Sequence, residues 1–230
     1  MNAGKLFLIT TPIGNIADLT IRALESLRNS DFVICEEFKE GSKILRQLEI
    51  EKELFNLNEH NEQQVIEEYI LELLSGKNIA LISDCGTPGF ADPGLQLIKR
   101  CIEMSVKIEF IAGANSVLTA LVLSGFDISR FRFLGFLSPK SDLRKKQLSD
   151  LSNFKYSTVL MDTPYRLMTL LEELNDVVPD KRIFVGTNLT THDEQQFRGT
   201  PSEIIQEIKS KYPDEKFKAE FVLVVSHSRN

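Results

Sequence analysis

Two carboxylate residues stand directly after apolar segments that have the pattern of buried strands. Glu36 follows Phe32–Cys35, and Asp84 follows the segment 78–82 after one serine. In an α/β sheet, ligands bind outside the carboxyl ends of the strands, where a carboxylate can take a proton from a bound hydroxyl group. The alternative role for each residue is to cap the helix or loop that follows. Glu36 and Asp84 are therefore candidate catalytic residues.

Other reactive side chains give weaker signals. His60 lies in the polar segment 58–62 and is a third candidate base, although a plain loop residue fits the same pattern. Cys85 can be considered as a nucleophile, but nothing near it in the sequence identifies an activating base. Cys35 and Cys101 lie in apolar segments, as core residues do. Three cysteines without a CxxC pair argue against disulfides or a cysteine zinc site and favour a reducing cytoplasm.

The segment 83–94 reads SDCGTPGFADPG and joins a strand-like segment to an amphipathic, helix-like one. It contains three glycines and two prolines. Glycine permits positive φ and close approach of the backbone, whereas proline fixes φ and removes a donor. Most loops between a strand and a helix are short. This long irregular loop therefore predicts a ligand-facing role, and the alternative is a plain loop rich in turn formers.

Strand-like and helix-like segments alternate along the chain, which predicts βαβ units and a mainly parallel sheet. We expect two α/β domains. Residues 1–115 should form the first, with a five-stranded sheet, and residues 116–230 the second, with a mixed sheet in which 194–198 is an antiparallel edge strand. The predicted strands are 5–10, 32–35, 53–57, 78–82, 107–111, 131–137, 157–161, 182–187, 194–198 and 221–225.

Four loops are expected at the carboxyl ends of strands, at 10–15, 83–94, 112–116 and 161–166. None contains the phosphate-binding pattern GxxxxGK[ST], and the first turn is not GxGxxG. No HExxH or clustered His/Asp pattern predicts a metal. Backbone amides on such loops suit a carboxylate, a ribose or an adenine edge. A cleft lined by backbone fits group transfer from an activated cofactor, in which the enzyme mainly aligns donor and acceptor.

The net charge of −6 argues against a strongly electrostatic nucleic-acid binder, but the charge is unevenly distributed. Residues 1–113 contain 11 basic and 18 acidic residues, whereas residues 114–230 contain 16 and 15. A basic cluster begins the second half, and it indicates either a solvated helix face or a modest phosphate-contacting patch. Its members are Arg130, Arg132, Lys140, Arg144, Lys145 and Lys146. Neither an apolar segment of 18 residues nor a secretory signal pattern occurs, so no membrane association is expected.

The chain contains TPIGNIADLTIRAL from residue 11, EHNE from residue 59 and the loop 83–94, in this order. These three segments resemble the bacterial small-subunit ribosomal RNA (cytidine) 2′-O-methyltransferase family. Residues 131–140, FRGT at 197–200 and EFVLV at 220–224 are similar as well. The family belongs to the tetrapyrrole methylase superfamily, the class III S-adenosylmethionine (SAM) methyltransferases. The resemblance implies two α/β domains of the tetrapyrrole methylase type, SAM in the interdomain cleft, and a homodimer.

The resemblance also implies roles for individual residues. SAM contacts are implied for Pro12, Asp84, Gly86, Thr87, Phe90, Ala91, Asn115, Ser116, Met161, Asn188 and Ala219. The acceptor side is implied for Asp18, Arg22, Glu36, His60 and Asn61. Within the basic cluster, Lys140 and Arg144 are expected to contact the substrate.

Four segments depart from the usual family pattern. CEEFK at 35–39 replaces CEDTR, and AGANS at 112–116 replaces a segment with PGPS. DTPYR at 162–166 replaces ESPHR, and TNLTT at 187–191 replaces RELTK. The C-terminal helical extension common in the family does not follow the last strand. The chain therefore resembles a divergent, short form of the family.

The leading hypothesis is methyl transfer from SAM to a ribose 2′-hydroxyl of small-subunit ribosomal RNA. Because the SAM sulfonium is already a good leaving group, alignment supplies much of the acceleration. One alternative is an enzyme of the same superfamily that methylates a small molecule, such as a tetrapyrrole-like ring. The basic cluster favours RNA over this alternative. The other alternative is a SAM- or RNA-binding module without turnover.

Overall fold

The structure is a computed structural model that describes residues 3–213 and 217–227. The chain separates into two compact units, Met1–Asn115 and Ser116–Asn230. Each unit contains one five-stranded sheet. Within the described ranges, no helix is both long and apolar enough to cross a membrane.

The first unit is a fully parallel α/β structure, with strand order β3-β2-β4-β1-β5. Its strands are β1 (Lys5–Ile9), β2 (Phe32–Cys35), β3 (Leu54–Asn56), β4 (Ile79–Ile82) and β5 (Lys107–Ile111). Its helices are α1 (Ile21–Asn29), α2 (Phe38–Gln47), α3 (Glu62–Leu74) and α4 (Leu95–Glu103). The central strands β1 and β4 are almost wholly apolar and buried, because helices cover both faces of a parallel sheet.

Alternate residues of these strands enter two separate cores. Leu8 and Leu81 pack with residues of α3 and α4, such as Leu97, whereas Ile9 and Ile82 pack with α1 and α2 on the other face. The connection that follows β1 therefore leaves toward one face, and the connection that follows β4 leaves toward the other. Since β1 and β4 are neighbours, their carboxyl ends form a topological switch point, where open α/β sheets bind ligands.

The second unit contains α5 (Ser116–Ser124), β6 (Phe131–Phe136), α6 (Ser141–Ser149), β7 (Ser157–Met161), α7 (Leu167–Val177), β8 (Ile183–Thr187), β9 (Gln195–Gly199), α8 (Pro201–Lys211) and β10 (Phe221–Val225). The strand order is β6-β7-β10-β8-β9. α6, α7 and α8 contribute to one core against the sheet. A capping box begins α8, with Thr200 and Glu203 bonding each other's backbone and Pro201 at the first position.

The expectation of a mainly parallel sheet is wrong for the second unit. Only β6 and β7 pair in parallel, whereas β7–β10, β10–β8 and β8–β9 are antiparallel. The connection 188–194 between β8 and β9 is too short for a parallel crossover, which needs a dozen or more residues. The expectation of a mixed sheet is confirmed, and so is the antiparallel edge strand predicted at 194–198, which is β9.

Candidate functional site

The loops after β1 and β4 are joined at the switch point by one buried side chain. The backbone amide of Thr11 donates to the carbonyl of Gly86 at 2.8 Å, and the Thr11 hydroxyl donates to the carbonyl of Ser83 at 3.0 Å. The amide of Gly86 donates back to Thr11 Oγ1 at 3.0 Å. Thr11 therefore holds the first turn of the loop 83–94 against the loop 10–15.

The loop 83–94 uses left-handed backbone at four positions. Gly86, Gly89, Ala91 and Gly94 have φ values of +94°, +77°, +62° and +113°. Ala91 bears the side-chain cost of this region, roughly 1–2 kcal/mol. At Gly94, a Cβ atom would lie 2.8 Å from Leu81 Cδ2, so a larger residue would require the Leu81 side chain to move. These positions explain why the sequence places glycines here, and a strained non-glycine residue is typical of functional loops.

Acidic side chains bind the start of α4 and the loop before it. Glu62 Oε1 accepts hydrogen bonds from the amide of Gly94 at 3.0 Å and from that of Gln96 at 3.4 Å. Asp92 accepts a hydrogen bond from the Ser83 hydroxyl, which joins the two ends of the loop. Burial raises the pKa of Asp92, and the Ser83 hydrogen bond opposes that effect. Hydrogen bonds thus join the two ends of the loop to each other and join its last residue, Gly94, to Glu62.

Glu36 lies at the carboxyl end of β2, beside the end of β4. Its pKa is raised to about 7, first by burial and then by the negative charges of Asp92 and Asp84. Glu37 and Glu59 act in the same direction. A carboxyl group with this pKa gains and loses a proton near neutral pH, as a general acid or base must.

Asp84 is held differently from Glu36. Its Oδ1 atom accepts a hydrogen bond from the amide of Glu37 at 3.2 Å, at the N-cap of α2. Burial raises the pKa of Asp84, and the Glu37 amide partly offsets this effect. Asp84 is therefore bonded to the backbone before α2, which is not the loop or helix that follows Asp84 in the chain, whereas no described side-chain bond occupies the Glu36 carboxylate.

The loop that follows β3 is built from asparagine side chains. Asn61 Nδ2 donates to the Oδ1 and carbonyl oxygens of Asn56, at 2.8 and 3.1 Å, and Asn61 Oδ1 accepts from the amide of Asn58 at 2.8 Å. Asn56 in turn donates to the carbonyl of Glu36. Asn61 thus shapes the loop next to Glu36. His60 is highly exposed, and its Nε2 lies 3.6 Å from Glu59.

The other acceptor-side residues predicted in the first unit lie on its surface. Asp18 is exposed in a 3-10 turn at Ile16–Asp18. Arg22 is exposed at the start of α1, and its guanidinium donates to the carbonyl of Phe110 in the edge strand β5 at 2.8 Å. The structure therefore shows Arg22 bound to β5.

The loop after β5 reaches the same edge of the sheet. A Cβ atom on Gly113 would lie 3.0 Å from Thr10 Cβ, so this loop passes directly over the end of β1. Thr10 is buried, and its hydroxyl has no hydrogen-bond partner in the described structure. Asn115 is partly buried at the end of this loop, and Ser116 begins α5. Sequence reasoning missed Thr10, although a polar residue that ends an apolar strand is the signal that could have identified it.

The residues predicted for SAM in the second unit lie at one end of its sheet. Met161 and Thr187 end the two strands that flank β10, opposite Val222 and Phe221. The amide of Asn188 donates to the carbonyl of Glu220 at 2.8 Å, beside Ala219.

Two buried polar atoms at this end, Asp162 Oδ2 and Thr187 Oγ1, have no described hydrogen-bond partner. Neither residue was a predicted site residue. Asp162 directly follows β7 and Thr187 is the last residue of β8, just as Thr10 directly follows β1.

Arg144 does not lie where a substrate contact requires it. Its side chain is buried and forms a bidentate ion pair with Glu173, with Nε–Oε2 and Nη2–Oε1 distances of 2.7 and 2.8 Å. Its remaining nitrogen, Nη1, donates to the carbonyls of Ser138 and Pro139. Since the guanidinium is fully engaged, we assign Arg144 a structural role. Lys140, in contrast, is exposed.

Comparison with known proteins identifies the family. The model of Tetrapyrrole (Corrin/Porphyrin) Methylases matches residues 5–205. The chain belongs to the tetrapyrrole methylase family. It is therefore a SAM-dependent methyltransferase, as the sequence predicted.

Curated relatives of this methylase match it over most of their length. The ribosomal RNA small subunit methyltransferase I of Thermotoga maritima is 34% identical over 91% of this chain and 94% of its own. The protein of the same name from Bacillus subtilis is 36% identical over 99% of this chain and 76% of its own. The resemblance read from the motifs is thereby confirmed.

Solved structures agree with the fold of the methylase. A cobalt precorrin-4 methyltransferase superposes with a TM-score of 0.71 at 15% identity and covers 98% of this chain and 96% of its own. The uroporphyrin-III-C-methyltransferase of Thermus thermophilus gives 0.63 at 19% identity, with coverage of 97% and 94%. At these identities the likeness concerns the fold alone, and it confirms the predicted fold class.

The residues at the switch point of this methylase fit SAM. SAM carries a carboxylate, a ribose and an adenine, which need backbone donors and hydroxyl partners. The loop 83–94 supplies backbone in left-handed turns, and the Thr10 hydroxyl is a buried polar atom that lacks a described partner. The exposed ring of Phe90 adds an apolar surface. Within the described ranges, no group of three or more potential metal ligands is found.

Proposed function

We propose that this methylase transfers the methyl group of SAM to a ribose 2′-hydroxyl in the RNA of the small ribosomal subunit. The observation that carries the proposal is the similarity to ribosomal RNA small subunit methyltransferase I of Thermotoga maritima, which extends over 91% of this chain and 94% of that protein. The basic cluster of the second unit, whose members other than Arg144 are exposed, supports an RNA acceptor.

SAM, when bound, supplies a methyl group on a positively charged sulfur, which makes the transfer a displacement that needs little activation of the donor. The chain binds and orients the cofactor through the backbone of the loop 83–94, at Gly86, Thr87, Phe90 and Ala91, with Pro12 opposite in the loop tied to it by Thr11. Asn115 and Ser116, and the second-unit residues Met161, Asn188 and Ala219, are further proposed contacts. Correct orientation alone lowers the barrier substantially.

Glu36 is the proposed general base. A ribose hydroxyl must lose its proton as the new O–C bond forms, and a carboxylate can accept that proton. The raised pKa of Glu36, about 7, makes it a stronger base than an ordinary glutamate while leaving it largely ionised at slightly alkaline pH. Asp84, fixed by the amide of Glu37, contributes the negative charge that helps to raise this pKa.

The remaining assignments follow from the proposed acceptor. Asp18, Arg22, His60 and Lys140 are proposed to face the RNA, with Arg22 anchored to β5 and Asn61 shaping the loop that carries His60. A ribosomal substrate places the protein in the cytoplasm. The homodimer implied by the family resemblance stays a prediction.

The test is transfer of tritiated methyl from SAM to isolated small ribosomal subunits. Subunits from a bacterial strain deleted for the corresponding methyltransferase should become labelled in their RNA, whereas subunits from the parent strain, already methylated, serve as the matched control. Calorimetry with SAM is run in parallel. SAM binding without label in the RNA would contradict the ribosomal acceptor and favour a small-molecule acceptor or a binding module. Absence of SAM binding would overturn the proposed cofactor site.

A further inference from the structure

The segment between β6 and α6 is held from inside the protein by the ion pair of Arg144 and Glu173. Arg144 Nη1 donates to the carbonyl of Ser138 at 3.0 Å and to that of Pro139 at 3.1 Å, while Nε and Nη2 bind the Glu173 carboxylate. The Ser141 hydroxyl lies 3.4 Å from the same carboxylate. Both ends of the turn 138–141 are therefore attached to one buried pair.

The same turn is also held from its surface side. The amide of Ser138 donates to Gln147 Oε1 of α6 at 2.9 Å, and the amide of Lys140 donates to the Ser138 hydroxyl at 3.2 Å. The only charge in the turn is that of Lys140, whose side chain is exposed. A turn with its carbonyls and amides fixed in this way presents one lysine in a defined place.

A buried ion pair is weak evidence for stability, because burying two charges costs about as much as their attraction returns. Its placement points to another role. The planar guanidinium reaches a carboxylate and two carbonyls at once, which a lysine ammonium cannot do. The pair thus orders the surface turn by binding its carbonyl groups. An apolar contact of equal size could not bind them.

We infer that Arg144 is a positioning residue, which holds the turn 138–141 so that Lys140 binds a phosphate of the RNA acceptor. This inference rests on the proposed function and replaces the direct substrate contact that the sequence predicted for Arg144. The ammonium of Lys140 releases counterions from the phosphate it binds, so the contact has a measurable salt dependence.

The experiment compares Arg144→Lys, Lys140→Ala and the double variant with the wild-type chain. The affinity for small ribosomal subunits from the deletion strain is measured across a salt series, and methylation kinetics are measured on the same subunits. Arg144→Lys keeps the net charge, so a buried structural residue would leave the salt dependence of binding unchanged. We expect instead that, for Arg144→Lys, the slope of log K against log salt concentration falls in magnitude by roughly 0.7 to 0.9. Lys140→Ala should show the same change.

The kinetic readout separates positioning from loss of catalysis. KM for the subunits should rise by roughly two- to fivefold in each single variant, while kcat and the affinity for SAM stay unchanged. The double variant should be no worse than Lys140→Ala, since both changes remove one contact. Lys209→Ala, which removes an exposed lysine of α8, is the matched control and should leave both readouts unchanged.

Gln147→Ala keeps the test decisive if Arg144→Lys does not fold, because Gln147 is exposed and holds the turn from outside. It should change KM and the salt slope in the same direction by a smaller amount. Unchanged slopes and KM values in Arg144→Lys, or in Gln147→Ala where the first does not fold, would overturn the inference while wild-type methylation stands. Absence of wild-type methylation would instead contradict the proposed function.

Discussion

At the scale of single residues, Glu36 and Asp84 show how two similar carboxylates acquire different roles. Both follow buried strands, and the sequence alone did not separate them. Asp84 accepts a backbone hydrogen bond that stabilises its charged form, whereas Glu36 is partly buried among negative charges. The environment, and not the residue type, therefore favours Glu36 as the group that exchanges a proton.

Replacing Glu36 by glutamine should slow methyl transfer. Glutamine has nearly the same shape but accepts no proton at neutral pH, and loss of a general base typically costs about 10²- to 10⁴-fold in rate. For the wild-type chain, kcat/KM should rise with pH through about 7, the pKa of Glu36 in the free protein. Initial rates from pH 5.5 to 9 measure both effects. A glutamine variant that keeps the wild-type rate and pH profile would exclude Glu36 as the base.

The same substitution should make the protein more stable at alkaline pH. The folded pKa of Glu36, about 7, lies above its ordinary value of 4.5, so the stability present below pH 4.5 is lost as pH rises through 7. Glutamine does not ionise and avoids this loss. Because Glu36 is partly exposed, we expect a gain of about 1 kcal/mol at pH 8, and a smaller one at pH 5. Urea denaturation at both pH values measures it, and equal stability throughout would contradict burial of this carboxyl.

Gly86→Ala should weaken SAM binding beyond its effect on stability. A Cβ at φ +94° strains the backbone by roughly 1–2 kcal/mol, while its nearest neighbour, Ile13 Cγ2 at 3.6 Å, leaves room for it. Gly125→Ala is the matched control, since Gly125 has φ +69° and open space around it. Both variants should lose similar stability in urea. Calorimetry should show weaker SAM binding for Gly86→Ala alone, and equal affinities would remove Gly86 from the cofactor site.

At the scale of elements, the site depends on the way in which neighbouring strand ends are tied together. The switch point arises because the connections after β1 and β4 leave toward opposite faces of the sheet. Thr11 then joins the two loops by hydrogen bonds at both backbone and hydroxyl. The order of the loop 83–94 thus depends on a residue distant in sequence.

Thr11→Val should loosen this connection. Valine has the size of threonine but lacks the hydroxyl, so the amide of Gly86 loses its buried acceptor, at a cost of about 1–3 kcal/mol. Thr11→Ser keeps the hydroxyl and should retain most of the stability and SAM affinity. Urea denaturation and calorimetry compare the two variants. A valine variant that binds SAM as tightly as the serine variant would show that the tie does not order the site.

At the scale of the whole molecule, each cluster of buried apolar residues lies within one of the two units. Two clusters lie entirely within residues 1–115, and the third lies entirely within residues 116–230. Each unit also contains a complete sheet. The two units therefore have separate hydrophobic cores, as independently folding domains have.

Expressed alone, residues 1–115 should fold. The fragment retains five parallel strands and both of its cores, and a single domain of this size usually unfolds in one cooperative step. Circular dichroism and urea denaturation measure this. A fragment without a cooperative transition would show that the first unit needs the second one in order to fold.

The sequence by itself determined the strands, the loops at their carboxyl ends and the motifs that identify the family. These features are local, because the apolar periodicity of a strand and the residue types that favour a turn both depend on residues close together in the sequence. Tertiary structure decided the antiparallel half of the second sheet, the raised pKa of Glu36 and the burial of Arg144. Each depends on residues far apart in sequence, such as Asp92 beside Glu36 and Glu173 beside Arg144. Charge and burial act through space, so only the folded chain shows how far the pKa of each carboxyl group is raised and which arginine is buried.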